Sequence, residues 1–303
     1  MRIIYLHLVS DSTRQHFPSD KTLDIKAFRK TLKFLMKGNQ FISISEALEC
    51  HKSGTSTKGK IVLTTDDGFV ENYTVIAPIA EEFGIKPTLF LIEDCIDNKK
   101  LMWRHGLFVL TQHFDKQVLK NKAESVLPHL NKFNDADDLM SWSLREWQMK
   151  EKDLNMAILW NSLMPCSLDE YLSENKPYLS TKQVNKLINK GFDVGCHTRS
   201  HPSCSKLNEE EIVTEIQKSA VSLKEKFSLS NSYFSFPFQR AENVMDIVSD
   251  FSPKVDVALG TKELLNASKL NPLFWERTSI EFRYPKSVLN FYLNPLFLSV
   301  KNL

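Results

Sequence analysis

Several features that would announce a function are missing from this chain. Cysteine is scarce: the five residues, Cys50, Cys95, Cys166, Cys196 and Cys204, are odd in number, scattered and free of any C-x-x-C pair. That argues against a disulfide framework and fits a reducing compartment. An excess of either charge is missing too. The 39 Lys and Arg against 37 Asp and Glu leave a formal charge of +2, so there is no electrostatic footprint for nucleic acid or an anionic membrane. No run reaches the roughly 18 apolar residues of a membrane span. The apolar stretch Val288 to Val300 is short, is interrupted by Asn290, Asn294 and Pro295, and reads as a core or interface helix. The opening Met1 to Val9 reads as a strand and lacks the longer apolar run and cleavage site of an export signal, so a cytoplasmic location is expected. There is no internal repeat and no low-complexity tract. No histidine follows His201.

The stretch around which the rest is organised is Ile61-Val62-Leu63-Thr64-Thr65-Asp66-Asp67-Gly68-Phe69. A short apolar, β-rich run bounded by turn signals suits a strand buried on both faces. It ends in two adjacent carboxylates, which are costly to bury unless paired or bound to metal. The ends of parallel strands are where α/β folds build their sites. An Asp-Gly turn capping the next helix is the structural alternative.

Around it the order is strand, helix, strand. Strands are expected over 3–9, 41–44, 61–66 and 87–92, with helices over 25–37, capped by Asp24, from Ser45 to about 52, and over 70–83. This is the βα rhythm of a parallel sheet or barrel in one α/β domain spanning 1–303. It pauses between about 97 and 178, a charged, helix-like insertion holding Trp103, Trp142, Trp147 and Trp160. The insertion reads as a lid over the strand ends. Its tryptophans could stack on sugar rings or simply form core. The rhythm resumes with a helix capped by Ser180, a strand at 192–196, a helix at 209–227 capped by Asn208, and a strand at 233–236. A helix at 242–250, strands at 255–259 and near 278–282, and a final helix follow.

His197 and His201 bracket a loop at the end of a strand. Two imidazoles four residues apart can converge on one ion, and imidazole is a favoured ligand for zinc and other borderline metals. With Asp-Asp-Gly at another strand end, the chain offers one carboxylate and two imidazoles for a metal and a second carboxylate to act as base. Three protein ligands with open positions is a catalytic arrangement.

These residues carry a resemblance. Thr64-Thr65-Asp66-Asp67-Gly68-Phe69 resembles the first motif of the NodB-type polysaccharide deacetylases, carbohydrate esterase family 4. His197-Thr198-Arg199-Ser200-His201 is similar to the second, and Phe234-Ser235-Phe236-Pro237-Phe238 to the third. The resemblance implies a distorted (β/α)7 barrel and metal-dependent hydrolysis of an amide or ester. Asp67, His197 and His201 would bind the ion, and Asp66 would be the general base. The ion would be zinc, with cobalt, nickel, manganese or iron also suited to such a ligand set. A backbone N–H near Phe238 would help hold the oxyanion. Pro237 and Phe238, with Trp103 and His105, are the candidate substrate and oxyanion contacts.

The chain departs from the family pattern in two places. Many members supply an acid His late in the chain, and here none exists. In the permuted poly-N-acetylglucosamine deacetylase branch the acid His comes from the first strand, and Tyr5-Leu6-His7-Leu8-Val9 is similar to that motif. His7 is therefore the candidate acid and His105 the alternative. Where many relatives carry an Arg two residues before the motif-three Pro, this chain has Ser235, and Gln239 replaces the usual Gly. An Arg that orients the base would have to be Arg104, Arg240 or Arg277. Glu93 and Asp94 read as caps or loop residues, and Cys196 as a buried thiol. The expected substrate is an N-acylated sugar, nucleotide- or lipid-linked or a soluble precursor, in glycan biosynthesis, with deformylation or O-deacetylation open to the same apparatus. A catalytically silent glycan-binding member and a hydrolase of a non-sugar amide are the alternatives.

Overall fold

The structure, a computed structural model, describes residues 1–133, 137–238, 242–252, 254–261 and 274–281. The expected final helix, Arg240 and Gln239 lie outside them.

Strands β1 (Arg2–Leu6), β3 (Lys60–Thr65), β4 (Thr88–Leu91), β5 (Asp193–Cys196), β6 (Tyr233–Ser235), β7 (Val257–Gly260), β8 (Phe274–Glu276) and β9 (Thr278–Ser279) form one sheet ordered β8-β7-β6-β5-β4-β3-β1-β9. The short β2 (Gln40–Phe41) pairs with β3 off this path. All pairings are parallel. The two ends of the order, β8 and β9, are separated in sequence by Arg277 alone. They act as one stave whose first half pairs with β7 (Ala258 opposite Phe274) and whose second half pairs with β1 (Ile4 opposite Thr278). The sheet thereby nearly closes into a seven-stave (β/α) barrel. Only the 278–282 half of that stave was expected from sequence, because 274–276 follows no clear alternation.

The period-two alternation of the strands sorts the side chains. Ile4, Leu6, Ile61 and Leu63 face outward, onto Phe28, Leu32 and Leu35 of α1 (Ile25–Leu35) and Ile79 and Ala80 of α3 (Ala77–Glu82). Ile3, Val62, Phe90, Tyr233, Val257, Leu259 and Trp275 form a separate apolar cluster inside the barrel. Ile44, Ala47 and Leu48 of α2 (Ile44–Lys52) join that cluster and cover its N-terminal end. Both faces of β3 are therefore apolar, which is why its sequence is a continuous run rather than an alternation. Gly195 makes room inside: a Cβ there would lie 2.5 Å from the Phe90 ring.

The N-cap of α2 is Ser43, not Ser45. Ser43 Oγ accepts from Glu46 N–H (3.1 Å), and Glu46 Oε2 accepts from Ser43 N–H (2.7 Å), a reciprocal capping box. Ser45 instead bonds Asp193 (2.9 Å). Asp24, Ser180 and Asn208 cap their helices as expected, each accepting from a backbone N–H three residues on. Between β4 and β5 lie α4 (Trp103–His113), α5 (Lys116–Val126), α6 (Leu139–Glu146), α7 (Lys152–Leu163) and α8 (Leu168–Asn175), with no strand among the described residues. Trp103, Trp142, Trp147 and Trp160 are all buried there and pack as core. No helix of the described residues is long and apolar enough to cross a membrane.

Candidate active site

Continuing the inward alternation beyond the apolar layer gives Tyr5 and His7 from β1, Thr64 and Asp66 from β3, Ser235 from β6, and Arg277, Ser279 and Glu281 from the closing stave. A cavity of about 220 Å³ opens above them. Three loops meet at it, and each holds a non-glycine residue in the left-handed region: Asp67 (φ 67), Thr198 (φ 66) with His201 (φ 58), and Phe238 (φ 57). Such strain persists only where the surroundings impose it, and it clusters at functional sites.

The surroundings here do impose it. His197 N–H donates to Leu91 O (2.8 Å), and His197 Nδ1–H donates to Ser235 O (2.8 Å), leaving Nε2 to face the cavity. His201 N–H donates to Thr198 Oγ1 (2.9 Å), while Trp103 Nε1–H donates to His201 O (2.9 Å). Lys152 Nζ donates to Ser200 Oγ (2.8 Å), so α4 and the start of α7 both grip the His loop.

Asp67 is buried between two groups of imidazoles. Its Oδ1 lies 3.4 Å from His197 Nε2 and 3.5 Å from His201 Nε2. Its Oδ2 lies 3.1 Å from His105 Nε2. Tyr178 fixes the tautomer of His105: its hydroxyl accepts from Met102 N–H (3.0 Å) and donates to His105 Nδ1 (2.7 Å), so His105 Nε2–H donates to Asp67. Asp67 Oδ1 and His201 Nδ1 are buried with no hydrogen-bond partner among the described residues.

Asp66 is handled differently. Arg277, itself fully buried, forms a two-pronged pair with it: Nη1 to Oδ1 at 2.7 Å and Nη2 to Oδ2 at 2.8 Å. The guanidinium also donates to Ser235 Oγ (2.6 Å), Thr64 Oγ1 (3.1 Å) and Gly260 O (3.2 Å), and it sits 4.5 Å over the Tyr5 ring. The Arg absent from the third motif is thus replaced from the closing stave, and Ser235, at the vacated position, accepts its hydrogen bond. His7 lies just past β1. Its Nδ1 and backbone N each approach Glu281 Oε1 at 2.7 Å, and its ring remains 22% exposed toward the cavity.

The charges follow from these contacts. Burial alone would raise the Asp66 pKa, but the Arg277 charge, then His197 and the Arg277 hydrogen bonds, hold it below the usual Asp value. Burial also works against Asp67, yet the His105 hydrogen bond and the neighbouring imidazoles keep it well below. Burial lowers His105, His197 and His201, which stay neutral at pH 7. Burial would lower His7 as well, but the Glu281 charge and hydrogen bond, with Asp67 and Asp66, raise it to about 9. Arg277 therefore neutralises Asp66, and protonated His7 neutralises Glu281. Asp67 is left as a buried anion facing neutral imidazoles. Its orphaned Oδ1 and the two His donors lie within 4.8 Å of one another, so a divalent cation fits both the charge and the donor set.

The other candidates fall elsewhere. Phe238 lines the cavity, 5.1 Å from the His201 ring. Pro237 is buried behind it. Trp103 is fully buried and supports the site from behind, through its bond to His201 O and its ring contact with Phe238 at 6.4 Å. Arg104 lines the cavity but makes no bond to Asp66. Cys196 donates to Ser219 Oγ (3.3 Å), and burial pushes its thiol up to about 12, far from reactive. Asp94 pairs with Lys100 (2.7 Å) and Arg199 (3.3 Å). Glu281 and Tyr178 were not singled out from sequence. For Glu281 a signal existed: Arg277, Ser279 and Glu281 put polar groups at every second position of a strand.

A family model described as polysaccharide deacetylase matches residues 53–251, well over half of the chain. The chain belongs to the polysaccharide deacetylase family. The matched span contains Asp66, Asp67, His197, His201 and the third-motif loop, whereas His7, Arg277 and Glu281 lie outside it. Among solved structures, the chain resembles the deacetylase PplD of Streptococcus pyogenes, determined in complex with acetate (TM-score 0.63, 14% identity, covering 97% of this chain and 98% of that one). It also resembles a de-N-acetylase from Aggregatibacter actinomycetemcomitans (TM-score 0.58, 13% identity, 96% and 98% covered) and IcaB from Ammonifex degensii (TM-score 0.58, 14% identity, 98% and 96% covered). At these identities the likeness is one of fold. A search of curated proteins gave no match.

Proposed function

We propose that this polysaccharide deacetylase homologue is a metal-dependent hydrolase that removes an acetyl group from an N-acylated sugar. The observation that carries the reading is the division of labour between the adjacent carboxylates. Asp67 is exposed to three imidazoles and lacks a charge partner, whereas Asp66 is fixed by Arg277. In this reading Asp67, His197 and His201 hold a divalent ion, with zinc the first choice. When bound, such an ion supplies a water of lowered pKa and polarises the acyl carbonyl.

The chain's own residues do the rest. Asp66, kept ionised and aimed by Arg277, accepts the proton of the attacking water. His7, kept protonated by Glu281 at the cavity wall, gives a proton to the leaving amine. Phe238, held in its left-handed turn, walls the acyl site, and its backbone N–H is the proposed oxyanion donor. Deformylation and O-deacetylation would use the same groups. The altered third motif and the absent late His motivate the alternative of a silent binding member; the Arg277 pair with Asp66 and the position of His7 at the cavity support the catalytic reading instead. The five free cysteines agree with the proposed cytoplasmic setting and a substrate that is a soluble or carrier-linked precursor in glycan biosynthesis.

The test is acetate release from N-acetylated sugars with zinc or cobalt added, comparing wild type with Asp66→Asn. Release that depends on metal and is lost in Asp66→Asn, with metal still bound, is expected. Full activity in Asp66→Asn would overturn the assignment of the base.

A further inference from the structure

Two cations line the cavity that the proposed chemistry does not use. Arg104, the second residue of α4, is half-buried, and its guanidinium packs over three rings: Phe238 at 4.9 Å, Trp103 at 5.8 Å and Phe108 at 5.9 Å. Phe238 in turn lies 5.1 Å from His201, so this ring links Arg104 to the proposed metal site. Lys21 comes from the other flank, at the end of the short turn Ser19–Lys21 next to Pro18 and Phe17, which also line the cavity. Among the described residues neither cation has a carboxylate at ion-pair distance or a side-chain hydrogen bond; Asp67 and Asp138 act on Arg104 only as more distant charges. Two other cations at the cavity are each matched, Arg277 with Asp66 and His7 with Glu281, while Asp67 faces the imidazoles of the proposed metal site.

A partly desolvated guanidinium whose plane is set by aromatic rings, with its N–H groups left over, is prepared for a bidentate anion. The hydroxyl and carbonyl oxygens of a neutral N-acetyl sugar can accept from it but cannot match its charge. Its burial is also opposed by desolvation, so leaving it unpaired is a cost that a bound anion would remove.

We propose that Arg104, assisted by Lys21, recognises an anionic group on the substrate, a phosphate or carboxylate carried by the sugar or by its next unit. The residue thereby sets specificity among N-acylated sugars. This inference rests on the proposed function above, and it is tested separately from it.

The first arm measures acetate release by the metal-loaded protein from N-acetylglucosamine 1-phosphate, N-acetylmuramic acid and the neutral methyl glycoside of N-acetylglucosamine. Wild type should prefer an anionic member, and Arg104→Gln should collapse the anionic-to-neutral ratio in kcat/KM by about tenfold or more. Arg104→Lys should restore part of it. The second arm uses ligands that cannot be deacetylated. Binding of glucose 1-phosphate, glucuronate and glucose is followed by calorimetry, at low and high salt, in wild type, Arg104→Gln and Lys21→Gln. Salt-sensitive binding of the anionic sugars that weakens in both variants is expected, and the better of the two anions identifies phosphate or carboxylate. Equal use of neutral and anionic sugars, or a preference that survives Arg104→Gln, would overturn the inference. So would anion binding that is abolished by chelator yet indifferent to Arg104, because the anion would then sit on the metal. Arg104-dependent binding without any acetate release would sustain the anion site and count against the deacetylase reading instead.

Discussion

Arg277 and Asp66 form a two-pronged ion pair at 2.7 and 2.8 Å inside the barrel, beneath the cavity, with no water-accessible surface on the guanidinium side chain. Removing one partner of a buried pair strands the other charge. Arg277→Met is therefore expected to cost about 3–5 kcal/mol in urea unfolding. Ser235→Ala, which deletes only one of the guanidinium's acceptors, should cost roughly 1 kcal/mol. The sign with pH follows from the depressed Asp66 pKa: its contribution is present at neutral pH and lost as pH falls through and below the ordinary Asp range. Equal stability of Arg277→Met and wild type at pH 7 would contradict the pairing.

His7 and Glu281 make a second prediction, in the opposite pH direction. The pKa of His7 in the folded protein is raised to about 9 from the ordinary histidine value of 6.5. The pair's stabilisation is thus complete below about 6.5 and fades as pH rises toward 9. If protonated His7 is the acid, Glu281→Gln should move the alkaline limb of the kcat profile to lower pH, and His7→Ala should lower kcat by about 100-fold or more. An alkaline limb that stays in place in Glu281→Gln would remove His7 from that role.

Metal removal should act on stability as well as on turnover. A chelator is expected to abolish acetate release and to lower Tm. Returning zinc at 100 times its Kd should restore about 2.7 kcal/mol of stability. Asp67→Ala should show neither response. Calorimetric titration of zinc into wild type and Asp67→Ala reads this directly.

His105 and Tyr178 orient Asp67 from behind. His105→Ala and Tyr178→Phe should weaken zinc binding, the first by roughly 10- to 100-fold, as is usual for groups that hold a ligand in place. Zinc affinity unchanged in His105→Ala would reduce the ring to packing against Phe69, whose centroid lies 4.7 Å away.

Much of this was legible in the sequence because the relevant signals are local. The run Ile61 to Thr65 announces a doubly buried strand, and Asp24, Ser180 and Asn208 are caps whose partners lie three residues away. Asp66, Asp67, His197 and His201 stand in recognisable motifs at strand ends. The Arg277 contact to Asp66 spans 211 residues and that of Glu281 to His7 spans 274, and no local pattern reports a pairing at that distance. The α2 cap was displaced by two residues because Ser43 and Ser45 are chemically equivalent and only the position of Glu46 separates them. The insertion tryptophans carry no periodic signature that distinguishes a sugar platform from core, and their burial decides it.

The stave that closes the barrel has a bearing on when the protein can act. His7 is made 274 residues before its partner Glu281, and Asp66 is made 211 residues before Arg277. Until residue 281 is available, Asp66 lacks its guanidinium and His7 lacks its carboxylate, even though all three motif loops already exist. Long-range closures of this kind are slow to form and late in folding. A nascent or truncated chain would then carry the motifs without the paired charges that arm them, so the site is completed only when the closing stave is in place.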